Sequence, residues 1–276
     1  MQPQKQGATG VDGTASVAPA PPIRVTVEDR IATVIFNRPD RRNALTLAMW
    51  REVPEICTRL EHDPDVRCVV LTGAGGYFTA GADIIEFDKV RQSVAASADY
   101  ETAVDACCDA IAALSKPTIA AIPGFCMGGG CHIAISCDFR YARPAATFGV
   151  QAARLSIVYG IRGTQKLVSL VGIANAKRIL YAAEQFGAEE AYRIGFVDRI
   201  ADDVLAAARD FAARMADNAP LSISGAKSLI NGLSMGLGAL DPVEAHRLID
   251  RAAASKDYEE GRRAFAEKRP PQFKGR

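Results

Sequence analysis

Residues 117–131 decide the fold, and they read PTIAAIPGFCMGGGC. The apolar run at 117–122 is short and uninterrupted, which predicts a strand buried in a parallel sheet. The glycines that follow, Gly128, Gly129 and Gly130, open a predicted short helix that extends to Ser136. A buried strand, a loop of small residues and a helix in this order are typical of an α/β protein.

The same order of elements occurs earlier in the chain. Residues 46–61 carry apolar side chains at helical spacing, with Thr46 as a candidate N-cap, and residues 66–71 predict another buried strand. The Ala-rich residues 93–114 predict a long helix that leads to the strand at 117–122. Two parallel strands joined by crossover helices follow from this pattern.

We divide the chain into three regions. Residues 1–22 contain no aromatic residue and no apolar core of a signal peptide, so we interpret them as a flexible tail. Residues 23–200 begin with a hairpin pattern and hold the predicted sheet, including a short strand at 139–142. Residues 201–276 carry helical patterns and form a predicted helical C-terminal region. The predicted helices after Gly163 span 166–171, 174–181, 188–193, 204–216, 221–235, 242–253 and 258–268.

The composition argues against several classes of protein. The chain has 276 residues, of which 49% are hydrophobic and 24% charged, which is enough to build a sizeable core. Lys and Arg number 33 against 32 Asp and Glu, so the net charge of +1 attracts neither nucleic acid nor an anionic membrane. No apolar stretch approaches the roughly 20 residues of a membrane-spanning helix. We therefore expect no nucleic-acid partner and no membrane association.

The cysteines favour a reducing compartment. There are seven, an odd number without a CxxC pair, so a disulfide framework is not expected and the cytoplasm is the predicted location. Cys126, Cys131, His132 and Cys137 lie close in sequence, but their spacing departs from the usual zinc pattern. We expect no metal site, because free cysteines are common as small buried apolar residues.

Two predicted strands end in loops of small residues that are candidates for chemistry. One loop leads to Ala82 and the other to Gly129, at the strand ends where α/β proteins bind ligands. A backbone N–H from each loop, close to a helix start, could converge on one developing negative charge and form an oxyanion hole. The alternative is that the glycines serve only turns and packing. Neither loop carries a phosphate-binding or dinucleotide-binding glycine pattern.

The chain also resembles the enoyl-CoA hydratase/isomerase (crotonase) family. The resemblance extends from about Ile23 to Arg276 and rests on short motifs that occur in the same order and spacing. These motifs are Asn37-Arg38-Pro39 with Asn43-Ala44-Leu45, Phe78-Thr79-Ala80-Gly81-Ala82-Asp83, Gly128-Gly129-Gly130-Cys131, Cys137-Asp138, Gly163-Thr164-Gln165, and Glu267-Lys268-Arg269-Pro270-Pro271-Gln272-Phe273.

The resemblance implies an α/β fold built as a crotonase-like spiral of ββα units, with a helical C-terminal trimerisation region. It implies a homotrimer or a dimer of trimers. It further implies an acyl-CoA thioester as substrate, so that coenzyme A enters as part of the substrate and no metal or redox cofactor is needed.

The resemblance also implies roles for individual residues. Ala82 and Gly129 would donate N–H groups to the thioester oxygen. Ala80, Asp83 and Ile84 would shape the pocket around it. The residues expected near the adenosine and phosphates are Arg41 with its neighbour Arg42, Phe265 and Lys268. For the charged members of this last group, a solvated surface position is the alternative.

The chain departs from the family pattern at two positions. Family hydratases hold water with two glutamates, and His132 and Ala152 stand in their places. His132 lies in the first turn of a helix, which would lower its pKa and favour the neutral imidazole as a catalytic base. The alternative is a core histidine without a catalytic role. Gln151 and Tyr159 are further polar candidates nearby.

Three functions remain open from the sequence. The first is a hydratase or related lyase in which other groups move the proton, and we favour it. The second is isomerisation or decarboxylation of an acyl-CoA, for which Asp83, Glu86 and Asp138 are the nearest carboxylates, although Asp83 fits a helix cap and Asp138 a turn. The third is a non-catalytic acyl-CoA binding protein that retains the pocket.

Overall fold

The computed structural model describes residues 20–155, 157–234 and 241–276. Residues 1–19 of the predicted tail and Met235 of the predicted helix 221–235 lie outside the described residues. Near the start of the described chain, the carbonyl of Pro22 accepts a hydrogen bond of 2.7 Å from the backbone N–H of Asn37.

The chain folds into short strands and mostly longer helices. The strands are β1 (Ile23–Glu28), β2 (Ile31–Phe36), β3 (Cys68–Gly73), β4 (Thr118–Ile122), β5 (Phe125–Met127), β6 (Phe139–Ala142), β7 (Thr147–Gly149), β8 (Phe186–Gly187) and β9 (Arg199–Ile200). The α-helices are α1 (Leu47–His62), α2 (Phe87–Val90), α3 (Val94–Ala113), α4 (Gly129–Ser136), α5 (Ile161–Ala182), α6 (Ala188–Arg193), α7 (Val204–Ala216), α8 (Pro220–Ser234), α9 (Pro242–Ala253) and α10 (Lys256–Glu267).

The main sheet has the strand order β1-β2-β3-β4-β6-β9. β1 and β2 form the predicted hairpin, in which Asp29 and Arg30 make the turn with φ of 51° and 65°. All further pairings in this sheet are parallel, including that of β3 with β4, the two strands that the apolar runs predicted. The predicted mixed α/β fold is confirmed.

A second, three-stranded sheet has the order β5-β7-β8, and the sequence analysis did not predict it. Its strands are two or three residues long, too short for a recognisable apolar alternation. This sheet matters for the site because β5 leads directly into Gly128 and α4.

Helices cover both faces of the main sheet, which is why its central strands are buried. On one face lies the larger core, where Trp50 of α1 donates a hydrogen bond of 2.9 Å from Nε1 to the hydroxyl of Tyr100 on α3. On the other face α7 packs closely on the sheet through Ala208 and Ala212, which are fully buried. The domain boundary at residue 200 stays a prediction.

The second half of the chain is mainly helical. α5 covers the two predicted helices 166–171 and 174–181, and Gly172 interrupts it between them with φ 76° and ψ 165°. Helices α7, α8, α9 and α10 lie in the predicted helical C-terminal region, residues 201–276. The chain then returns along α10, where Asp257 accepts hydrogen bonds of 2.7 Å from the N–H groups of Lys274 and Gly275.

Among the described residues, no helix combines the length and the apolar character that crossing a bilayer requires. All seven cysteines are buried and unpaired.

Candidate active site

The two small-residue loops lie side by side. Met127 donates a backbone hydrogen bond of 3.1 Å to the carbonyl of Thr79, and the Thr79 hydroxyl accepts one of 3.0 Å from the N–H of Gly81. A Cβ on Gly81, which has φ 86°, would lie 2.5 Å from the Met127 carbonyl oxygen and 2.8 Å from the Gly129 nitrogen. Only glycine allows the loops to approach this closely.

The contact between the loops brings two backbone N–H groups together. The Cβ position of Gly129 lies 3.8 Å from the nitrogen of Ala82. Gly129 is the first residue of α4, after Gly128 with φ 51° and ψ −115°, so its N–H has no partner within the helix. Within the described residues, neither the Ala82 nor the Gly129 N–H donates a hydrogen bond to the protein.

These N–H groups belong to residues that line a cavity of about 230 Å³. Its wall combines apolar side chains with a few polar ones, as is usual for a small-molecule site. The lining residues include Trp50, Ala80, Ala82, Ile84, Phe87, Arg91, Tyr100, Glu101, Asp105, Gly129, His132, Gln151, Ala152, Tyr159 and Gly160.

Five of the predicted site residues lie in this cavity: Ala80, Ala82, Ile84, Gly129 and His132. Asp83 was expected to shape the pocket as well, but it does not line the cavity.

The carboxylate of Asp83 is engaged elsewhere. It accepts hydrogen bonds of 2.9 Å from Arg38 Nη1 and 3.2 Å from the N–H of Ile85, and so caps the short 3₁₀ turn Ile84–Glu86. The capping function that the sequence suggested for Asp83 is therefore the one that the structure shows.

The residues expected near the nucleotide part of coenzyme A lie outside the cavity. Arg41 and its neighbour Arg42 are exposed in the loop before α1, and the guanidinium of Arg42 lies 4.9 Å from the centre of the Phe125 ring. Phe265 on α10 is 89% exposed, and Lys268 ends that helix in a left-handed conformation. Their role in binding stays a prediction.

The other two carboxylates weighed for isomerisation also have structural partners. Glu86 accepts a hydrogen bond of 2.9 Å from the N–H of Leu47 at the start of α1. Asp138 accepts hydrogen bonds from the Thr118 N–H, at 2.7 Å, and from Lys227 Nζ, at 2.9 Å. Neither lines the cavity.

His132 is buried in the cavity wall, with 3% of its surface exposed. Its Nε2 atom has no hydrogen-bond partner among the described residues, and neither has the hydroxyl of Tyr159, whose ring centre lies 5.4 Å from the imidazole. A Cβ on Gly163 of α5 would lie 3.0 Å from His132 Nε2. His132 therefore presents an unpaired nitrogen in a confined space.

The pKa of His132 is shifted in the direction opposite to the sequence-based expectation. Burial lowers it, but the charge and hydrogen bonding of Cys108 outweigh burial, and the pKa is raised above 6.5. Asp105 raises the pKa further, whereas Lys166 lowers it. The expectation of a lowered pKa was wrong because it considered only the start of α4, while Cys108 comes from α3.

Cys108 is the buried partner of this histidine. Burial opposes ionisation of its thiol, but a hydrogen bond from Cys107 and the charge of His132 together lower its pKa to about 5. The pair favours a thiolate beside an imidazolium, since each charge stabilises the other.

Helix α3 supplies pocket residues that the sequence analysis did not single out. Arg91 and Glu101 form an ion pair of 2.7 Å, and the Arg91 guanidinium lies about 5 Å from the rings of Phe87 and Tyr100. Asp105 also lines the cavity. From the sequence, we expect the long helix at 93–114 and the helices after Ala188 to line the acyl pocket and the subunit contacts. Helix α3 lines the cavity through Glu101 and Asp105, whereas no described residue after Gly160 does.

A larger cavity of about 390 Å³ lies elsewhere, between α1, α8 and the C-terminal segment. Lys116 lines it, but its Nζ donates hydrogen bonds to the carbonyls of Leu60 and Asp63. None of the predicted site residues lies there. We therefore place the candidate active site in the smaller cavity.

Comparison with known proteins gives a consistent result. The enoyl-CoA hydratase/isomerase family matches residues 26–276. A protein named probable enoyl-CoA hydratase echA8 from Mycobacterium tuberculosis is 36% identical over 258 residues, 91% of this chain and 97% of the relative. The crotonyl-CoA hydratase of Syntrophomonas wolfei is 34% identical over 250 residues, 89% of this chain and 95% of the relative.

The same holds for three-dimensional structure. The crystal structure of an enoyl-CoA hydratase/carnithine racemase from Magnetospirillum magneticum superposes with a TM-score of 0.88 at 34% identity. The match covers 94% of this chain and 97% of that one.

Proposed function

Since the chain belongs to the enoyl-CoA hydratase/isomerase family and is a hydratase-type enzyme, we propose that it adds water to an acyl-CoA thioester or removes it, with the enolate held by Ala82 and Gly129. The thioester oxygen would accept a hydrogen bond from each of the two N–H groups. Substrate carbon C3 gains or loses the hydroxyl group, and C2 gains or loses a proton.

The observation that carries this proposal is the pair of unpaired N–H groups at the cavity. Both belong to residues that line the cavity, and neither has a partner in the described protein. One such donor contributes about 10²–10³ in rate when it faces the charge that develops in the transition state. Two donors that need no rearrangement provide the larger part of the stabilisation that an enolate requires.

We assign His132 to the proton at C2. It lines the same cavity as the two donors, and its Nε2 is unpaired. Because its pKa is raised, the imidazolium persists to higher pH than in an ordinary histidine. An imidazolium can protonate C2 as water adds to C3, and the neutral imidazole can remove that proton in the reverse direction.

The cavity of about 230 Å³ suits the acyl end of the substrate, while coenzyme A would extend beyond it. We propose that Arg41, Phe265 and Lys268 approach the nucleotide. We also propose a homotrimer or a dimer of trimers in the cytoplasm. Sedimentation that shows a stable monomer at micromolar concentration would contradict the assembly.

Decarboxylation is the second candidate, because it needs the oxyanion hole but no activated water. The absence of both family glutamates, at His132 and Ala152, favours it. Binding without turnover is the third possibility.

One experiment separates these functions. The purified protein is incubated with crotonyl-CoA, hydroxybutyryl-CoA and malonyl-CoA, and the thioesters are followed by mass spectrometry. Gain or loss of water supports the proposal. Loss of carbon dioxide selects the decarboxylase. Tight binding of unchanged thioesters indicates a binding protein and rejects the proposed reaction.

A further inference from the structure

Two carboxylates of α3 line the cavity, and only one of them has a partner. Glu101 and Asp105 are four residues apart and so lie on the same face of the helix. Glu101 forms an ion pair of 2.7 Å with Arg91. Asp105 has no hydrogen bond or ion pair to any residue that the structure describes. Asp105 is therefore a carboxylate of the cavity wall without an ion-pair partner among the described residues.

The start of α5 places Asp105 and His132 beside the same short segment. A Cβ on Gly160, the residue before α5, would lie 3.3 Å from Oδ1 of Asp105. A Cβ on Gly163, three residues later, would lie 3.0 Å from Nε2 of His132. Two glycines about one helical turn apart thus leave space for a carboxylate and an imidazole at one cavity.

Asp105 also acts on His132 electrostatically. Its negative charge adds to the stronger effect of Cys108 in raising the pKa of His132. Unlike Asp83, Glu86 and Asp138, Asp105 is not used for capping or for a turn. An unpaired carboxylate beside a shifted histidine in a cleft is typical of a catalytic acid–base pair.

We propose that Asp105 is the general base that takes a proton from the water adding to C3. As the water oxygen bonds to C3, the electrons of the C2–C3 double bond move onto the thioester oxygen between Ala82 and Gly129. The enolate then returns its electron pair to C2 and takes a proton from His132. Transfer of the proton from Asp105 to His132 restores both groups, so the net change is the addition of one water.

This inference rests on the proposed hydratase function and assigns the half of the reaction that His132 does not perform. Positioned general bases contribute about 10²–10⁴ in rate. Since Asp105 acts on water rather than on the substrate carbon, its loss should affect hydration and spare the proton chemistry at C2.

The test compares Asp105→Asn with two other variants. Asp105→Glu keeps the carboxylate on a longer side chain. Asp99→Asn is the matched control, because Asp99 lies on the same helix but is exposed and does not line the cavity. Each protein is assayed for hydration of crotonyl-CoA and for exchange of the C2 protons of butyryl-CoA in D₂O, after thermal unfolding has shown that it is folded.

We expect Asp105→Asn to lower kcat for hydration at least about 100-fold with KM changed less than about 3-fold, while C2 exchange remains. Asp105→Glu should recover part of the loss, and Asp99→Asn should match the unchanged enzyme.

Hydration by Asp105→Asn within about 3-fold of the Asp99→Asn control overturns the inference. So does equal loss of hydration and C2 exchange in a folded variant. If Asp105→Asn does not fold, the test rests on Asp105→Glu. A longer side chain displaces the carboxylate, so hydration by Asp105→Glu at the full rate of the unchanged enzyme overturns the inference. If the unchanged enzyme hydrates no thioester, the proposed function itself fails.

Discussion

Gly163 lies directly against His132. A Cβ added to Gly163 would be 3.0 Å from both Cε1 and Nε2 of the imidazole and 2.8 Å from Cε1 of Tyr159. Contacts this short force a neighbour to move, and the first turn of α5 is held by the rest of that helix. The position of the histidine ring therefore depends on the absence of a side chain at residue 163.

Gly163→Ala should consequently lower activity without unfolding the protein. Alanine stabilises a helix relative to glycine by up to about 1 kcal/mol, which offsets part of the steric cost. Displacement of a catalytic group by about 1 Å costs about 10²-fold in rate. Since a contact of 3.0 Å requires a smaller shift of the imidazole, we expect kcat to fall by less than about 10²-fold and the unfolding temperature to change little. Gly187→Ala is the control, because nothing lies within 4 Å of its Cβ position. Equal activity of the two variants would contradict the assignment of His132.

Gly129→Pro removes one of the two proposed oxyanion donors. Turnover should fall at least about 10²-fold. A Cβ at this position would lie 2.9 Å from the Trp50 ring, so the variant must also be checked for folding.

Ligand chemistry gives a check on the oxyanion hole that needs no mutation. The unchanged protein should bind an acyl-CoA thioester more tightly than an S-alkyl-CoA thioether, which lacks the carbonyl oxygen. Equal affinities would reject the oxyanion hole.

The pH dependence should reveal the charge state of His132. A raised pKa means that the imidazolium persists above pH 6.5 and is lost as the pH rises further. If the imidazolium protonates C2, kcat for hydration is high below this pKa and falls above it. The charged groups facing the ring are Cys108 and Asp105 from α3 and Lys166 from α5.

Two substitutions test this pH profile. Cys108→Ser removes the strongest influence that raises the pKa, so the fall in kcat should begin at lower pH. His132→Gln should abolish this pH dependence together with most of the activity. Cys57→Ala serves as the control, because Cys57 is a buried thiol that is not among the groups shifting the pKa of His132. A profile that Cys108→Ser leaves unmoved would show that the titrating group is not His132.

The ion pair of Lys227 and Asp138 connects the C-terminal helices to the main sheet. Lys227 on α8 donates to Asp138, at 2.9 Å, and to the carbonyl of Lys116, at 3.0 Å, and its side chain is 9% exposed. Lys227→Met would leave Asp138 without its cation. We expect a loss of about 2–4 kcal/mol in the free energy of unfolding, measured in urea. Lys177→Met, at an exposed position of α5, should cost far less.

The sequence predicts those strands and turns that a run of neighbouring residues determines. The apolar runs predict β3 and β4, and the turn at Asp29 and Arg30 is correctly placed between β1 and β2. β5, β7, β8 and β9 have two or three residues each, and their pairing depends on distant parts of the chain. No window of sequence contains that information.

The same distinction applies to the site. Ala82 and Gly129 could be identified because each belongs to a loop with its own motif. The sequence around Asp105 does not distinguish it from Asp99 or Asp109 on the same helix. Its position at the cavity depends on how the distant helix α5 packs against α3. The pKa of His132 was predicted in the wrong direction for the same reason, because the cysteine that raises it is 24 positions earlier in the chain.

Because all seven cysteines are buried, the rate at which each thiol is labelled should report the local unfolding of the segment around it. Alkylating reagents attack the thiolate, and burial raises the pKa of Cys57 and Cys68 to about 12, so these two should react only after extensive unfolding. Cys108, with a pKa of about 5, should react as soon as reagent enters beneath α3. The order in which peptides become labelled would then show whether the wall of the cavity loosens before the main sheet does.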